Sequence, residues 1–373
     1  MSRKAQIRQF WLKIHRWMGL AGLLFMAAFG LTGALLVWPT TFDAMAHPAR
    51  YPSVSNRDFV PDTAFLTKAA AALPMGDRIS GLRVMQGQGA ILVAGEARGR
   101  PPLGLGPASR VQLWLHPQTG ELLDRQERAG GFIWALHALH GHMLLKQGGR
   151  IVVALLGAGL LALSAIGLWL WWPGLRSVRQ GLRWRKQFSR SMNLHRQAGA
   201  IVALILLVEA FTGAWLALPT LFAQIVSPGS MSGRTEASEG PPTTRPAAST
   251  MLNADQAVRR ARTLTTPDAR LTSIFFPDDA KGLWAIGLAA PSARPVTIMI
   301  DDRTGSASLR PAPRPDRAER AAGLMMTIHA GRFGLAGQII VFLSGLVLTL
   351  LAVTGLLLWL QGHTLRRRRM RRT

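Results

Sequence analysis

Four stretches of this chain are apolar at nearly every position, residues 17–38, 151–172, 198–218 and 338–360. Each is as long as the roughly 20 residues a helix needs to cross a hydrocarbon layer. The pattern predicts an α-helical membrane protein with four spans. Between spans one and two, and again between three and four, mixed sequence runs long enough to fold. In each segment a helix-like stretch (Thr63 to Leu73; Ala254 to Leu264) precedes strand-like runs (ILVAG and VQLWL; SIFF, LWAIGL and VTIMI). Each segment closes on a Thr-Gly turn, HPQTGELL from His116 and DDRTGSASL from Asp301, as a hairpin requires.

The spans repeat one another. LKIHRWMGLAGLLFMAAFGLTGALLVWPTTF from Leu12 and MNLHRQAGAIVALILLVEAFTGAWLALPTLF from Met192 align without a gap. His15 falls on His195, Arg16 on Arg196, Gly19 on Gly199, Thr32-Gly33 on Thr212-Gly213 and Pro39 on Pro219. RIVVALLGAGLLALSAIGLWLWW from Arg150 and QIIVFLSGLVLTLLAVTGLLLWL from Gln338 form a second pair, each led by histidine-bearing sequence. The expected architecture is two tandem helix-loop-helix repeats with two small α+β modules on the outer side. Residues 1–42 are the N-terminal tail and first span, 43–135 the first module, and 136–173 the second span with its lead-in. A basic loop at 174–191 leads to the third span at 192–222. Residues 223–325 are a linker and the second module, and 326–373 the fourth span and basic tail. The Ser/Thr/Pro/Gly-rich stretch from Gly229 reads as a flexible linker.

Charge adds orientation. Lys and Arg number 44 against 19 Asp and Glu, and they cluster at Arg3, Lys4, Arg8, Lys13 and Arg16, at Arg176, Arg179, Arg183, Arg185, Lys186 and Arg190, and at Arg366 to Arg369, Arg371 and Arg372. By the positive-inside rule both termini and the middle loop are cytoplasmic. Insertion and anionic lipid account for this basicity, so a nucleic-acid partner is not expected. The first span is read as a retained helix rather than a signal peptide, despite Ala44-Met45-Ala46 after it. Its apolar run exceeds a signal h-region, and its twin lies mid-chain. There is no cysteine, which excludes disulfides, thiolate iron–sulfur clusters, redox dithiols and covalent c-type haem attachment. Any redox centre must be held by histidine or methionine.

The helix-plus-hairpin modules, the His-Arg openings of spans one and three, and the ending Thr354-Gly355-Leu356 to Trp359, with Ile166-Gly167-Leu168 to Trp171 as a weaker copy, resemble the PepSY-associated transmembrane family over nearly the whole chain. That family includes inner-membrane ferric-siderophore reductases carrying b-type haem. The resemblance implies a membrane-bound oxidoreductase of the bacterial inner membrane. It would reduce ferric iron in a periplasmic siderophore complex with electrons from a separate cytoplasmic or membrane donor. The competing class is non-redox: a permease subunit, or a regulator whose modules bind peptide or a protease. A haem protein serving another acceptor, such as quinone, is a third.

Two neutral imidazoles on facing helices are a common way to hold a b haem in a bundle. His15 and His195 are duplicated equivalents at one depth, and His329 offers a ligand at the other face. His137, His140 and His142 precede the second span. His137 and His140 share a helix face at i, i+3 while His142 points elsewhere; His140 is the first choice, with the other two kept as alternatives. The expectation is two haem b groups, on His15 with His195 and on His140 with His329. His47, His116 and His363 have no equivalents and read as surface or interfacial. Gly19, Gly22, Gly33, Gly199 and Gly213 leave room for a flat macrocycle or serve ordinary small-residue packing. Glu209, mid-span, is expensive in lipid and stands where the first copy has Phe29. Gly157-Ala158-Gly159-Leu160-Leu161-Ala162 fits a dinucleotide fingerprint by letters, without the strand, turn or acidic follower it needs. One difficulty stands: His329 to Trp359 would span about 45 Å as a single helix, a long gap for electron tunnelling.

Overall fold

The computed structural model describes residues 2–56, 58–85, 89–96, 110–126, 130–145, 147–172, 178–227, 247, 249–278, 281–291, 295–310 and 315–370. The linker beginning at Gly229 lies outside the described residues except at Ala247 and Ser249, as do Arg176, Arg371 and Arg372. In chain order the helices of the first half are α1 (Arg3–Leu35), α2 (Pro39–Ala46), α3 (Thr63–Ala72), α4 (Phe132–His142), α5 (Gly149–Trp171) and α6 (Val178–Gly181). Those of the second half are α7 (Arg190–Ala217), α8 (Pro219–Val226), α9 (Ala254–Arg262), α10 (Arg317–His329) and α11 (Leu335–Met370). The strands are β1 (Arg78–Val84), β2 (Ile91–Glu96), β3 (Arg110–Leu115), β4 (Leu122–Gln126), β5 (Arg270–Phe275), β6 (Leu283–Ala289), β7 (Val296–Asp301) and β8 (Ala307–Arg310). The chain forms two compact units, one of residues 1–39, 135–231 and 315–373, the other of residues 40–134 and 232–314.

The first unit is helical. α1, α5, α7 and α11 contain stretches long and apolar enough to cross a membrane. α1 begins well before its apolar run because Ser2 caps it, accepting from the Ala5 N–H, and the basic residues between are good helix formers. Ser189 caps α7 in the same way through Met192. α7 stops just before Pro219, which restarts the chain as α8 at a first-turn position where a missing N–H costs nothing. Small residues set the crossings. A Cβ on Gly30 would lie 2.5 Å from the Gly345 carbonyl oxygen, and one on Gly345 2.5 Å from that of Gly30, so α1 and α11 touch backbone to backbone. Gly157 of α5 meets Ala210 and Ala214 of α7 similarly, which gives the fingerprint-like run a packing role. Met26, Val202, Leu206 and Leu348 fill the bundle's middle. In the first turn of α7, Asn193 is fully buried, accepting from the Arg185 N–H and donating to its carbonyl at 2.8 Å. Arg196 donates to the Gly181 and Arg183 carbonyls, fastening the loop to the helix.

The second unit holds one antiparallel sheet in the order β4-β3-β2-β1-β5-β6-β7-β8. The two loop segments share this sheet, with β1 beside β5 at the centre and Leu82 opposite Ile274. Among the described residues each segment contributes four strands and one helix packed into the sheet's core, α3 or α9; this is one strand more than the pattern predicts before the first hairpin, since Gly81 interrupts the alternation of β1. That glycine is needed, since a Cβ there would lie 2.8 Å from the Ile274 carbonyl oxygen. The core joins Phe65 and Ala69 of α3 and Ala257, Val258 and Ala261 of α9 to the strand residues Ile91, Leu113, Ile274, Ile286 and Ile298. The two Thr-Gly turns are built alike. Gly120 and Gly305 both take φ +67°, where glycine is unstrained. His116 Nδ1 accepts the N–H groups of Gln118 and Thr119 as Asp301 Oδ1 accepts those of Arg303 and Thr304. His116 is therefore a turn-forming residue, and the donors around Asp301, Thr304 first, hold its carboxyl below the usual range.

Two buried charges tie this unit together. Arg50, 5% exposed, donates to Asp124 at 2.6 Å and to Asp43 and Gln126, with its guanidinium 3.8 Å over Trp114. Tyr51 donates to Asp43; burial and that carboxylate push its phenol above its usual range. Asp302 accepts from the Met251 and Leu252 N–H groups and from the Trp284 indole at 2.8 Å. Asp302→Ala leaves three donors unpaired, two of them, the Leu252 N–H and the Trp284 indole, buried and each an expected cost of about 1 kcal/mol or more. Deuterium uptake at 250–254 should rise markedly in the full-length variant; unchanged protection there would refute the assignment.

Candidate functional site

His15 and His195 lie near the starts of α1 and α7, with imidazole centres 6.3 Å apart and planes at 80°. His140, near the end of α4, and His329, the last residue of α10, face each other at 6.1 Å and 47°. Of the three histidines before the second span, the structure brings His140 to His329. His137 lies one turn earlier on α4 and His142 beyond, its Nδ1 buried without a partner. His47 sits 3.3 Å from Asp43, and His363 lies against Trp359; neither joins a histidine pair.

Each paired imidazole lies against a glycine of another helix. A Cβ on Gly33 would stand 3.0 Å from His140 Cε1, one on Gly213 3.0 Å from His329 Cε1, one on Gly167 3.1 Å from His15 Cε1, and one on Gly355 3.6 Å from His195 Cε1. The Thr-Gly and Ile-Gly endings visible in the sequence are thus imidazole seats. Gly19, Gly22 and Gly199 make only ordinary contacts. Because His15 near the start of α1 meets Gly167 near the end of α5, those helices run antiparallel, as do α7 and α11.

The threonine before each glycine sets the proton. Thr32 lies 3.0 Å from His140 Nδ1, Thr212 3.1 Å from His329 Nδ1 and Thr354 3.0 Å from His195 Nδ1. Each threonine already donates its single hydroxyl proton to the carbonyl four residues back, at 2.7 Å to Ala28, 2.8 Å to Val208 and 2.8 Å to Leu350. Its oxygen can then only accept from the ring, so Nδ1 carries the hydrogen and Nε2 keeps its lone pair. The fourth seat differs. Ile166 stands where threonine would, and His15 Nδ1 is buried without a hydrogen bond, the Leu163 carbonyl lying beside it outside bonding geometry. The other asymmetry is at the second pair, where Phe29 packs on His140 at 5.1 Å and Glu209 places a carboxyl oxygen 3.2 Å from His329 Nδ1.

Each pair offers two imidazoles with ring centres 6.1 to 6.3 Å apart, a spacing that would admit a metal between them. A metal–nitrogen bond of about 2.0 Å, with about 1.1 Å from nitrogen to ring centre, sets two such centres about 6.2 Å apart. The donor set is neutral nitrogen from paired histidines, and the glycine seats hold each ring in place, so the residues present fit a b-type haem at both pairs. The difficulty over distance also changes. The chain turns between His329 and α11, so both pairs sit inside the ends of the bundle. Eighteen residues separate His15 from Gly33 and His195 from Gly213, about 27 Å of helix. Trp17 is exposed, Trp38 donates to Gln338, and Trp215 stacks on Phe222 at 4.3 Å; none stands between the rings of a pair.

Four candidate spans define a polytopic membrane protein, with a histidine pair near each end of its bundle. The chain belongs to the PepSY-associated TM region family, whose match runs over residues 12–361. No curated protein gives a significant match.

Proposed function

We propose that this protein is a haem-carrying oxidoreductase of the bacterial inner membrane that delivers electrons across the bilayer to ferric iron in a siderophore complex and releases Fe(II). The observation that carries the reading is the two pairs of imidazoles with ring centres 6.3 and 6.1 Å apart, three of the four rings with Nε2 left free to bind a metal. His15 with His195 would hold one haem b and His140 with His329 another. Bound there, haem supplies one-electron exchange between Fe(III) and Fe(II). The chain's own residues do the rest. Thr32, Thr212 and Thr354 fix the tautomer of three ligands, and Gly33, Gly167, Gly213 and Gly355 let the rings approach their helices. Met26 and the aliphatic side chains around it keep water from the middle of the bundle.

The basic termini and middle loop orient the protein with both ends in the cytoplasm; His15 and His195 are then the inner pair and His140 and His329 the outer one. Ferric siderophore suits the outer acceptor because hard oxygen ligands hold Fe(III) far more tightly than Fe(II), so one electron frees the metal. Among the described residues no nicotinamide fingerprint occurs in a strand-turn-helix setting, and the reading needs a separate electron donor.

The test is the visible spectrum of detergent-purified protein, oxidised and dithionite-reduced, with pyridine haemochrome quantification. Two haems per chain, reoxidised by a ferric hydroxamate with Fe(II) captured by a ferrous chelator, are expected. Reoxidation by a quinone alone would replace the acceptor. A colourless protein expressed with ample haem would overturn the reading. One observation favours the non-redox class: a polar cleft of about 530 Å³ in the sheet unit, lined by Ser55, Asn56, Asp58, Lys68 and Thr119, which would serve a peptide-binding regulator or permease subunit.

A further inference from the structure

The two histidine pairs differ in what stands behind them, and the differences have one sign. Each of the four imidazoles has beside it the backbone three residues before the seat's threonine or isoleucine: Phe29 for His140, Glu209 for His329, Leu351 for His195 and Leu163 for His15. That contribution is common to every seat. Beyond it, the His15/His195 pair has one side-chain oxygen, the Thr354 hydroxyl. The His140/His329 pair has three: the Thr32 and Thr212 hydroxyls and the Glu209 carboxyl.

An oxygen drawing on the Nδ1 hydrogen makes the opposite nitrogen a stronger donor, and a stronger donor favours the ferric over the ferrous state of a bound haem iron. We infer that Ile166 and Glu209 are positioning residues that separate the two sites in potential, the His140/His329 site standing well below the His15/His195 site. The inference rests on the haem reading proposed above. Its functional consequence is that the site of lower potential lies at the outer face, where the acceptor is a ferric complex that resists reduction. Each site takes one histidine from each repeat, so duplication alone would have made the two halves of a site alike. One residue changed in each half, Ile166 against Thr354 and Glu209 against Phe29, makes them unequal.

The test is a spectroelectrochemical titration of the full-length, haem-loaded protein and its variants in one detergent. Low-spin ferric EPR follows each wave, because the pair with planes at 80° gives the more anisotropic signal than the pair at 47°. Wild type is expected to titrate in two waves. Ile166→Thr, which supplies the missing hydroxyl, should lower only the upper wave. Glu209→Gln, and Glu209→Phe, which copies the first half, should raise only the lower wave. Each change is expected to shift the reduction equilibrium about tenfold, or about 59 mV for one electron. Glu209→Asp should recover part of the wild-type separation. A residue that served only to hold the helices together would change haem content and leave both potentials in place. Two haems whose potentials ignore both substitutions, or move in the opposite sense, would overturn this inference and leave the haem reading standing. Absence of haem from the wild type would overturn both.

Discussion

Replacing His15 or His195 by alanine is expected to halve the haem bound per chain, from two to one, and His140→Ala or His329→Ala to halve it at the other site. The double variant His15→Ala/His140→Ala should carry none. Each pair is built so that neither ring can be spared. The rings face each other at 6.3 and 6.1 Å. Truncation leaves an imidazole-sized space beside a glycine seat, so added imidazole should restore part of the lost haem. Such rescue would distinguish a missing ligand from a collapsed bundle. Alanine at His47, His116, His137, His142 or His363 should leave two haems. If His142→Ala removed a haem while His140→Ala did not, the pairing at the α4 end would be wrong.

The second large effect is expected at Gly30, one turn before the Gly33 seat, where two helices meet backbone to backbone. Gly30→Ala puts a methyl carbon 2.5 Å from the Gly345 carbonyl oxygen and 2.7 Å from Thr349 Oγ1. Its nearest obstacle is backbone and cannot swing aside, so α1 and α11 must part. That separation also stretches the bond from Thr349 to the Ala27 carbonyl at 3.2 Å. Overpacking of this kind costs about 1–3 kcal/mol, and without a hydrophobic drive between helices in lipid little compensates it. Gly159→Ala is the contrast. A Cβ there meets nothing within 4 Å, and the better helix propensity of alanine should stabilise the span by up to about 1 kcal/mol. Thermal unfolding in a single detergent should therefore move in opposite directions for the two variants. Equal shifts would mean that the α1–α11 contact is not as close as described.

Much of the site was visible as repetition. His15 and His195 stood out because the two copies align without a gap, and Thr32-Gly33, Thr212-Gly213 and Thr354-Gly355 recurred with them. What those dipeptides do was not visible, since each serves an imidazole more than 100 residues away or on another helix. Helical phase set His142 apart but left His137 and His140 on one face, and only the meeting of α4 with α10 shows which ring faces His329. β1 was missed because Gly81 breaks the alternation, and that glycine is explained only by the approach of β5. The apparent 45 Å gap arose from treating His329 and the fourth span as one helix, where the chain turns at Gly331, φ +63°.

Sequence by itself determined the four spans, their basic flanks and the duplication, because transfer of apolar side chains from water and the cost of moving charge through lipid are sums over local residues. The tertiary structure decided which histidines meet, which glycines receive them and how Ile166 and Glu209 make the two pairs unequal. Those depend on helix crossings set by close contacts such as Gly30 on Gly345, and a contact between distant residues leaves no periodic trace in either of them.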